Sequence, residues 1–147
     1  MKVFFDSNVL ISAILSKKGM PFLAIQKAGN NGCEMIVSEL NIEEVVNNVL
    51  AKFPEKKQVL DVFLEYLQYT ATIVPVPKTA TEIEKKIRDE DDRPILRAAI
   101  FANVDVIVTG DKDFLEADIE WPLIMSPAEF VSYYPIPPNN PLYVAEP

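Results

Sequence analysis

The chain has 147 residues, of which 49% are hydrophobic and 24% charged, and its net charge is −8. This length and composition are those of one ordinary globular domain. No apolar stretch approaches the ~20 residues of a membrane-spanning helix, and "MKVFF" is too short for the apolar core of a signal peptide. We therefore expect a cytoplasmic protein with no membrane partner.

Two residue types restrict the chemistry. Histidine is absent, which removes serine-triad and histidine acid–base catalysis and most zinc sites. The single cysteine, Cys33, excludes an internal disulfide, fits a reducing compartment and is most simply a small core residue. Catalysis would have to use carboxylates, hydroxyls, lysines or a metal ion held by oxygen atoms.

Strands and helices alternate along the chain. Short apolar runs predict strands, whereas apolar residues at helical spacing, Ser or Asp caps and prolines in first turns indicate helices. In chain order we predict strand Lys2–Phe5, helices "VLISAIL" and "PFLAIQKA", strand "EMIVS", helices "SELNIEEVVNNVLAKF" and "EKKQVLDVFLEYLQYTA", edge strand "TIVPVP", short helix "TATEIEKKI", helix "RPILRAAIFANV", strands "VDVIVTG" and "WPLIMS", and helix "PAEFVSYY".

The alternation predicts the fold class α/β, as a single-domain three-layer α/β/α sandwich with a mainly parallel sheet. The domain is expected to span residues 1–134. Residues 135–147 form a proline-rich C-terminal tail without helical or strand periodicity. The inward faces of the two long helices are predicted to carry Leu40, Val45, Val46, Val49 and Leu50, and Val59, Leu60, Phe63, Leu64 and Leu67.

Acidic residues follow the predicted strands at the edge where such folds bind ligands. Each alone is also typical of a helix cap, a helix N-terminus or a turn. Carboxylates that converge on one edge raise each other's pKa unless a cation lies among them, and oxygen ligands favour Mg²⁺ or Mn²⁺. The acidic positions are Asp6; Glu43 and Glu44; Asp89, Glu90, Asp91 and Asp92; and Asp111 and Asp113.

Three blocks of the chain resemble the PIN-domain nucleases, and are most similar to the toxin-like members that include the VapC-type halves of bacterial toxin–antitoxin pairs. The blocks are "VFFDSNVLISAIL", "VSELNIEEVV" and "RDEDDRPILRAAIFANVDVIVTGDKDF". The resemblance covers about residues 3–134. Each block alone is a weak signal, but their order and spacing together are a strong one.

The resemblance implies four acids that catalyse the reaction and bind the metal ion: Asp6, Glu44, Asp92 and Asp111. Asp113 is implied as an auxiliary metal ligand. Glu44 fits the second position better than Glu43, because the apolar Val45 follows it. Three polar residues are implied to support the acids: Ser7, Asn8 and Thr109. Ser7 stands where the family usually has Thr, and either hydroxyl can bond a carboxylate.

Such a site implies an endoribonuclease that hydrolyses RNA phosphodiester bonds with Mg²⁺ or Mn²⁺ as cofactor. The toxin-like relatives imply an antitoxin partner and a homodimer or higher homo-oligomer. An acidic chain needs local basic groups to bind RNA. The candidates are Lys17, Lys18, Arg93 and Lys112, although each is equally typical of a solvated surface charge.

Other interpretations of the acids use different chemistry. A catalytically inert PIN-like module held by a protein partner would keep the fold without the reaction. A phosphoacceptor signalling domain would need an acid pair after the first strand and an acceptor at mid-chain, where Asp61 falls inside a predicted helix. A phosphatase with an Asp-x-Asp motif would need an acid where Asn8 stands.

Overall fold

The computed structural model describes residues 1–133, which form five strands and seven α-helices. The tail at 135–147 therefore lies outside the described residues. The strands are β1 (Lys2–Phe5), β2 (Glu34–Ser38), β3 (Ala71–Val74), β4 (Val106–Val108) and β5 (Leu123–Met125). The helices are α1 (Ser7–Leu15), α2 (Met20–Asn30), α3 (Glu39–Lys52), α4 (Lys57–Thr70), α5 (Arg93–Phe101), α6 (Lys112–Leu115) and α7 (Pro127–Tyr133), with 3-10 turns at Pro54–Lys56, Ile83–Lys86 and Glu90–Asp92.

The five strands form one sheet in the order β3-β2-β1-β4-β5, and every pairing is parallel. β3 lies at an edge of the sheet, as predicted for the segment "TIVPVP", whose prolines follow the observed strand. The chain winds outward from β1 first in one direction and then in the other, so the strand order reverses between β1 and β4. In open parallel sheets this reversal leaves a crevice at the carboxyl ends of the strands, where ligands bind.

The sheet separates two apolar layers, because successive strand residues point to opposite faces. Phe4, Ile36 and Ile107 point towards a cluster that includes α5. Val3 and Val37 point towards a second cluster, which includes buried residues of α1, α2, α3, α4 and α7. The prediction of a three-layer α/β/α sandwich is therefore confirmed.

Local sequence explains where the helices begin. Ser38 and Asn41 form a capping box at the start of α3, in which the Ser38 hydroxyl accepts the Asn41 N–H and Asn41 accepts the Ser38 N–H. Pro21 and Pro94 lie in the first turns of α2 and α5, where a missing N–H costs no helical hydrogen bond.

Two expectations about local structure were wrong. The segment "TATEIEKKI" forms only the 3-10 turn Ile83–Lys86, in which Glu84 is buried. Leu50 and Val59, expected to face inward, are 42% and 37% exposed. Helical spacing predicts which face of a helix is apolar, but it does not predict how much of that face the neighbouring elements cover. The four-residue helix α6 was not predicted, because it is too short to show a period.

Within residues 1–133, no single helix has the length and apolar content needed to cross a membrane. The helices α1 and α2 satisfy that criterion only as a pair bent by 105°.

Candidate metal and catalytic site

Two neighbouring strands position the centre of the site. Phe5 of β1 is in register with Val108 of β4, so the residues that follow them, Asp6 and Thr109, meet at the carboxyl edge of the sheet. The Asp6 N–H extends the sheet by donating to the Val108 carbonyl at 3.0 Å. The Thr109 hydroxyl then donates to Asp6 Oδ2 at 2.8 Å. Both side chains are buried.

The Asp6 carboxylate is surrounded by hydrogen-bond donors. It caps α1 by accepting the Ser7 N–H at 2.8 Å, and Asn8 Nδ2 donates to its second oxygen at 3.2 Å. Asn41 Nδ2, from the first turn of α3, donates to Asp6 Oδ1 at 3.3 Å. Asn41 was not among the predicted site residues, because its place in a capping box gives no sign of a second partner in another element. The expected supporting residues Ser7, Asn8 and Thr109 therefore all donate to Asp6. Asn41 donates to it as well.

Burial nevertheless raises the pKa of Asp6 above its usual value. The hydrogen bonds from Thr109 and Ser7 lower this pKa, and repulsion by Asp111 raises it further. Desolvation disfavours a charged carboxylate, and a nearby negative charge does the same. A cation in this position would favour the ionised form.

Glu44 lies beside Asp6 on the adjoining helix. The Ser7 hydroxyl, which also lies 3.4 Å from Asp6, donates to Glu44 Oε1 at 3.3 Å. The pKa of Glu44 is raised first by burial and then by repulsion from Asp6. The structure therefore brings the second acidic block next to the first.

Asp92 and Asp111 both come from the third block. Asp111 caps α6, and its N–H donates to the Thr109 hydroxyl at 3.0 Å. Burial, a hydrogen bond with Asp111, and repulsion by Asp111, Asp89 and Asp6 raise the pKa of Asp92 to about 7. Asp92 thus experiences the negative charge of several acidic residues at once.

A second grouping includes one acid that was not among the expected site residues. Asp89, Asp92 and Asp113 each offer a carboxylate oxygen, and these oxygens lie within 4.8 Å of one another. The Asp89 side chain also accepts the Asp91 N–H at 2.9 Å and so caps the 3-10 turn. The run "DEDD" supplies four acids, and only the fold determines which of them face the crevice.

The expected basic residues lie in different surroundings. Lys17 lines an apolar groove of about 680 Å³ between α1, α2 and α4, and Lys18 is exposed beside it in the sequence. The Arg93 guanidinium donates to the Ile87 carbonyl, and Lys112 is exposed at the start of α6. In the described part of the chain, the cation paired with the clustered acids is Arg88, through Asp113. Arg88 was not among the predicted site residues.

The fold and this acidic crevice define a PIN-domain nuclease. A family model of the PIN domain matches residues 2–113, and the chain therefore belongs to that family. The resemblance drawn from the three acidic blocks is confirmed.

Two further comparisons found similar proteins. The chain is 24% identical over 120 residues to the uncharacterized protein MJ1680 of Methanocaldococcus jannaschii, an alignment that covers 78% of this chain and 74% of the relative. It is also similar to the crystal structure of VapBC2 from Rickettsia felis bound to a DNA fragment from its promoter, with a TM-score of 0.62 and 19% identity. That match covers 86% of this chain and 98% of the other, and at this identity it shows a shared fold.

The phosphoacceptor interpretation is wrong. Asp61, its required mid-chain acid, lies on the exposed surface of α4 and pairs with Lys57 at 2.8 Å. It does not follow a strand and therefore does not reach the crevice at the carboxyl edge of the sheet.

Proposed function

We propose that this chain is an endoribonuclease that depends on Mg²⁺ or Mn²⁺ and uses Asp6, Glu44, Asp92 and Asp111 as its catalytic and metal-binding acids. The observation that carries the proposal is the convergence of the acids at Asp92, one of whose oxygens lies within 4.8 Å of oxygens of Asp89 and Asp113. Burial and the neighbouring acids Asp111, Asp89 and Asp6 raise the pKa of Asp92 to about 7. Acids with no common function have no reason to be held where they repel each other.

The donor set fits a hard divalent cation. All candidate ligands are carboxylate oxygens, and the chain contains no histidine to favour zinc. Asp6, Glu44, Asp92 and Asp111 would hold one or two ions, with Asp113 and Asp89 as further ligands. When bound, the ion would acidify a water molecule and neutralise charge on the scissile phosphate.

The chain's own residues would organise the hydrolysis. Water oxygen forms a new bond to phosphorus, the bond to one ribose oxygen breaks, and a proton passes to that leaving oxygen. Glu44, whose pKa is raised and whose carboxylate lies beside Asp6, is suited to orienting the attacking water and receiving its proton. Thr109 and Asn41 would keep Asp6 in one orientation, as donors to metal-binding carboxylates generally do.

We further propose that the substrate is single-stranded or looped RNA, whose bases are free to splay. A toxin of a toxin–antitoxin pair is the biological role that the VapBC2 likeness favours, with a small antitoxin as partner. A homodimer or higher homo-oligomer in the cytoplasm completes the proposal. The free Cys33 agrees with a reducing compartment.

Cleavage of a mixed panel of RNAs by the purified chain tests the activity. We expect cleavage with Mg²⁺ or Mn²⁺, none with excess EDTA, and loss of at least about a hundredfold in rate for Asp6→Asn and Asp92→Asn. Asp61→Asn, an acid on the outer surface of α4, serves as the matched control and should cleave normally.

An unaltered chain that binds neither ion and cleaves no RNA in the panel would contradict the proposal and favour the inert binding module. Cleavage that persists in EDTA would show that the acids act without a metal ion.

A further inference from the structure

The Arg88 guanidinium already pairs with the acidic crevice. Its Nη2 donates to Asp113 Oδ1, and Asp113 is one of the three acids whose oxygens lie within 4.8 Å of one another. The Arg88 side chain is 82% exposed, whereas that of Asp113 is 19% exposed. One edge of the guanidinium therefore faces the acids, and its other N–H groups remain available to solvent.

The backbone beneath Arg88 is anchored on both sides. Ile87 is completely buried in the cluster that includes α5, and its carbonyl accepts from Arg93 Nε at 2.9 Å. Asp89 caps the following 3-10 turn. The base of the Arg88 side chain is thus fixed at the rim of the crevice, while the long side chain can turn from one partner to another.

Arg88 also differs from the basic residues near it in sequence. Lys85 pairs with Glu82 on the surface, Lys86 donates to the Asp118 carbonyl, and Arg93 pairs with Glu90 at 3.7 Å. Their partners are neither members of the acidic grouping nor the proposed metal ligands. A planar guanidinium is also well shaped to bind two phosphate oxygens.

We propose that Arg88 is a phosphate-binding residue of the nuclease site, which exchanges its pairing with Asp113 for an RNA phosphate when a divalent ion takes that carboxylate. This inference rests on the proposed metal-dependent ribonuclease. Arg88 and the ion compete for one carboxylate, since both are cations and Asp113 is shared between them. Once displaced, the guanidinium supplies positive charge at the rim of an otherwise acidic crevice.

Competition between Arg88 and the ion predicts that the Arg88→Ala variant binds Mn²⁺ more tightly and has a higher KM for RNA. Its affinity for Mn²⁺, measured by titration calorimetry without RNA, should rise about three- to tenfold, because a neighbouring positive charge is removed. At saturating Mn²⁺, its KM for single-stranded RNA should rise about tenfold or more. The slope of log KM against log salt should become shallower by about 0.7, the contribution of one phosphate contact to single-stranded RNA.

Two further variants make the test specific. Lys85→Ala removes the same charge three residues away and should change the Mn²⁺ affinity and KM less than twofold. Arg88→Lys should keep the salt slope of the unaltered chain but raise KM, since an ammonium cannot make the paired contact.

The outcomes separate the two proposals. If the unaltered chain binds Mn²⁺ and cleaves RNA but Arg88→Ala behaves like Lys85→Ala, the role of Arg88 is contradicted and the nuclease remains. Weaker Mn²⁺ binding by Arg88→Ala would also contradict the competition. If the unaltered chain does not cleave RNA, both proposals fail.

Discussion

At the scale of single residues, Asp92 lies where burial and neighbouring acids disfavour its negative charge. Burial raises its pKa most, and Asp111, Asp89 and Asp6 add to that effect, so the pKa reaches about 7. Near neutral pH, a proton occupies this carboxyl for part of the time. A divalent cation would displace that proton, and metal binding should therefore strengthen as pH rises.

The raised pKa of Asp92 predicts a pH dependence of stability in the metal-free chain. The folded state binds a proton at Asp92 more tightly than the unfolded state, in which the pKa of this carboxyl has its usual value of 3.8. The contribution of Asp92 to the free energy of unfolding is therefore fully present below about pH 4 and is lost as pH rises to about 7. The free energy of unfolding, measured with urea in EDTA, should decline less across this pH range in Asp92→Asn than in the unaltered chain.

The surface variant Asp61→Asn is the control for the removal of one acid. Its free energy of unfolding should decline with pH as much as that of the unaltered chain. Equal pH slopes in Asp92→Asn and Asp61→Asn would contradict the account of Asp92.

Sequence reasoning identified the acids that directly follow strands better than the residues that support them. Asp6 and Asp111 were predicted to meet because parallel strands end at one edge, and the structure places both beside Thr109. Asn41 and Arg88 contact their acidic partners across distances of 35 and 25 residues in sequence. Such contacts depend on strand order and loop path, which no local pattern encodes.

At the scale of elements, a buried ion pair attaches α5 to the preceding loop. Glu84 is 2% exposed and accepts from Arg97 of α5 at 3.1 Å. The Thr81 N–H also donates to Glu84, and Arg97 Nη1 donates to the Pro77 carbonyl at 3.0 Å. Because α5 follows Asp92 directly, this pair helps to fix the segment that carries the third acidic block.

Removing one partner of this pair should destabilise the fold. Glu84→Ala leaves the Arg97 guanidinium largely buried without its carboxylate, and we expect a loss of about 3 kcal/mol in the free energy of unfolding, measured in urea. Glu82→Ala removes an exposed acid two residues earlier, from a side chain that is 89% exposed, and should cost under about 0.5 kcal/mol. A difference below about 1 kcal/mol between the two variants would show that the pair does not hold the loop.

The strands and most helices followed from apolar spacing, caps and prolines, but the segment from residue 77 to residue 92 did not. The segment "TATEIEKKI" was predicted to be a short helix, whereas the structure has only a 3-10 turn there, in which Glu84 is buried and pairs with Arg97. The pairing of two charges in the interior overrides the local preference for a helix. Sequence spacing alone does not reveal which charges will pair.

At the scale of the whole molecule, topology brings four separate stretches of sequence into one crevice. The strand order reverses between β1 and β4, and the blocks around Asp6, Glu44, Asp92 and Asp111 meet beside that reversal. The fold thus concentrates negative charge at the point where parallel sheets generally bind ligands. The sequence predicted this edge because each block follows a strand or begins a helix at the same end of the sheet.

The location of Mn²⁺ in crystals of the unaltered chain is the most direct test of this account. We predict an anomalous scattering peak coordinated by carboxylate oxygens of Asp92 and of at least two among Asp6, Glu44, Asp111, Asp113 and Asp89. The Arg88 side chain should then have left Asp113. An ordered crevice that stays free of Mn²⁺ at saturating concentration, with each acid bonded only to protein and water, would contradict the account.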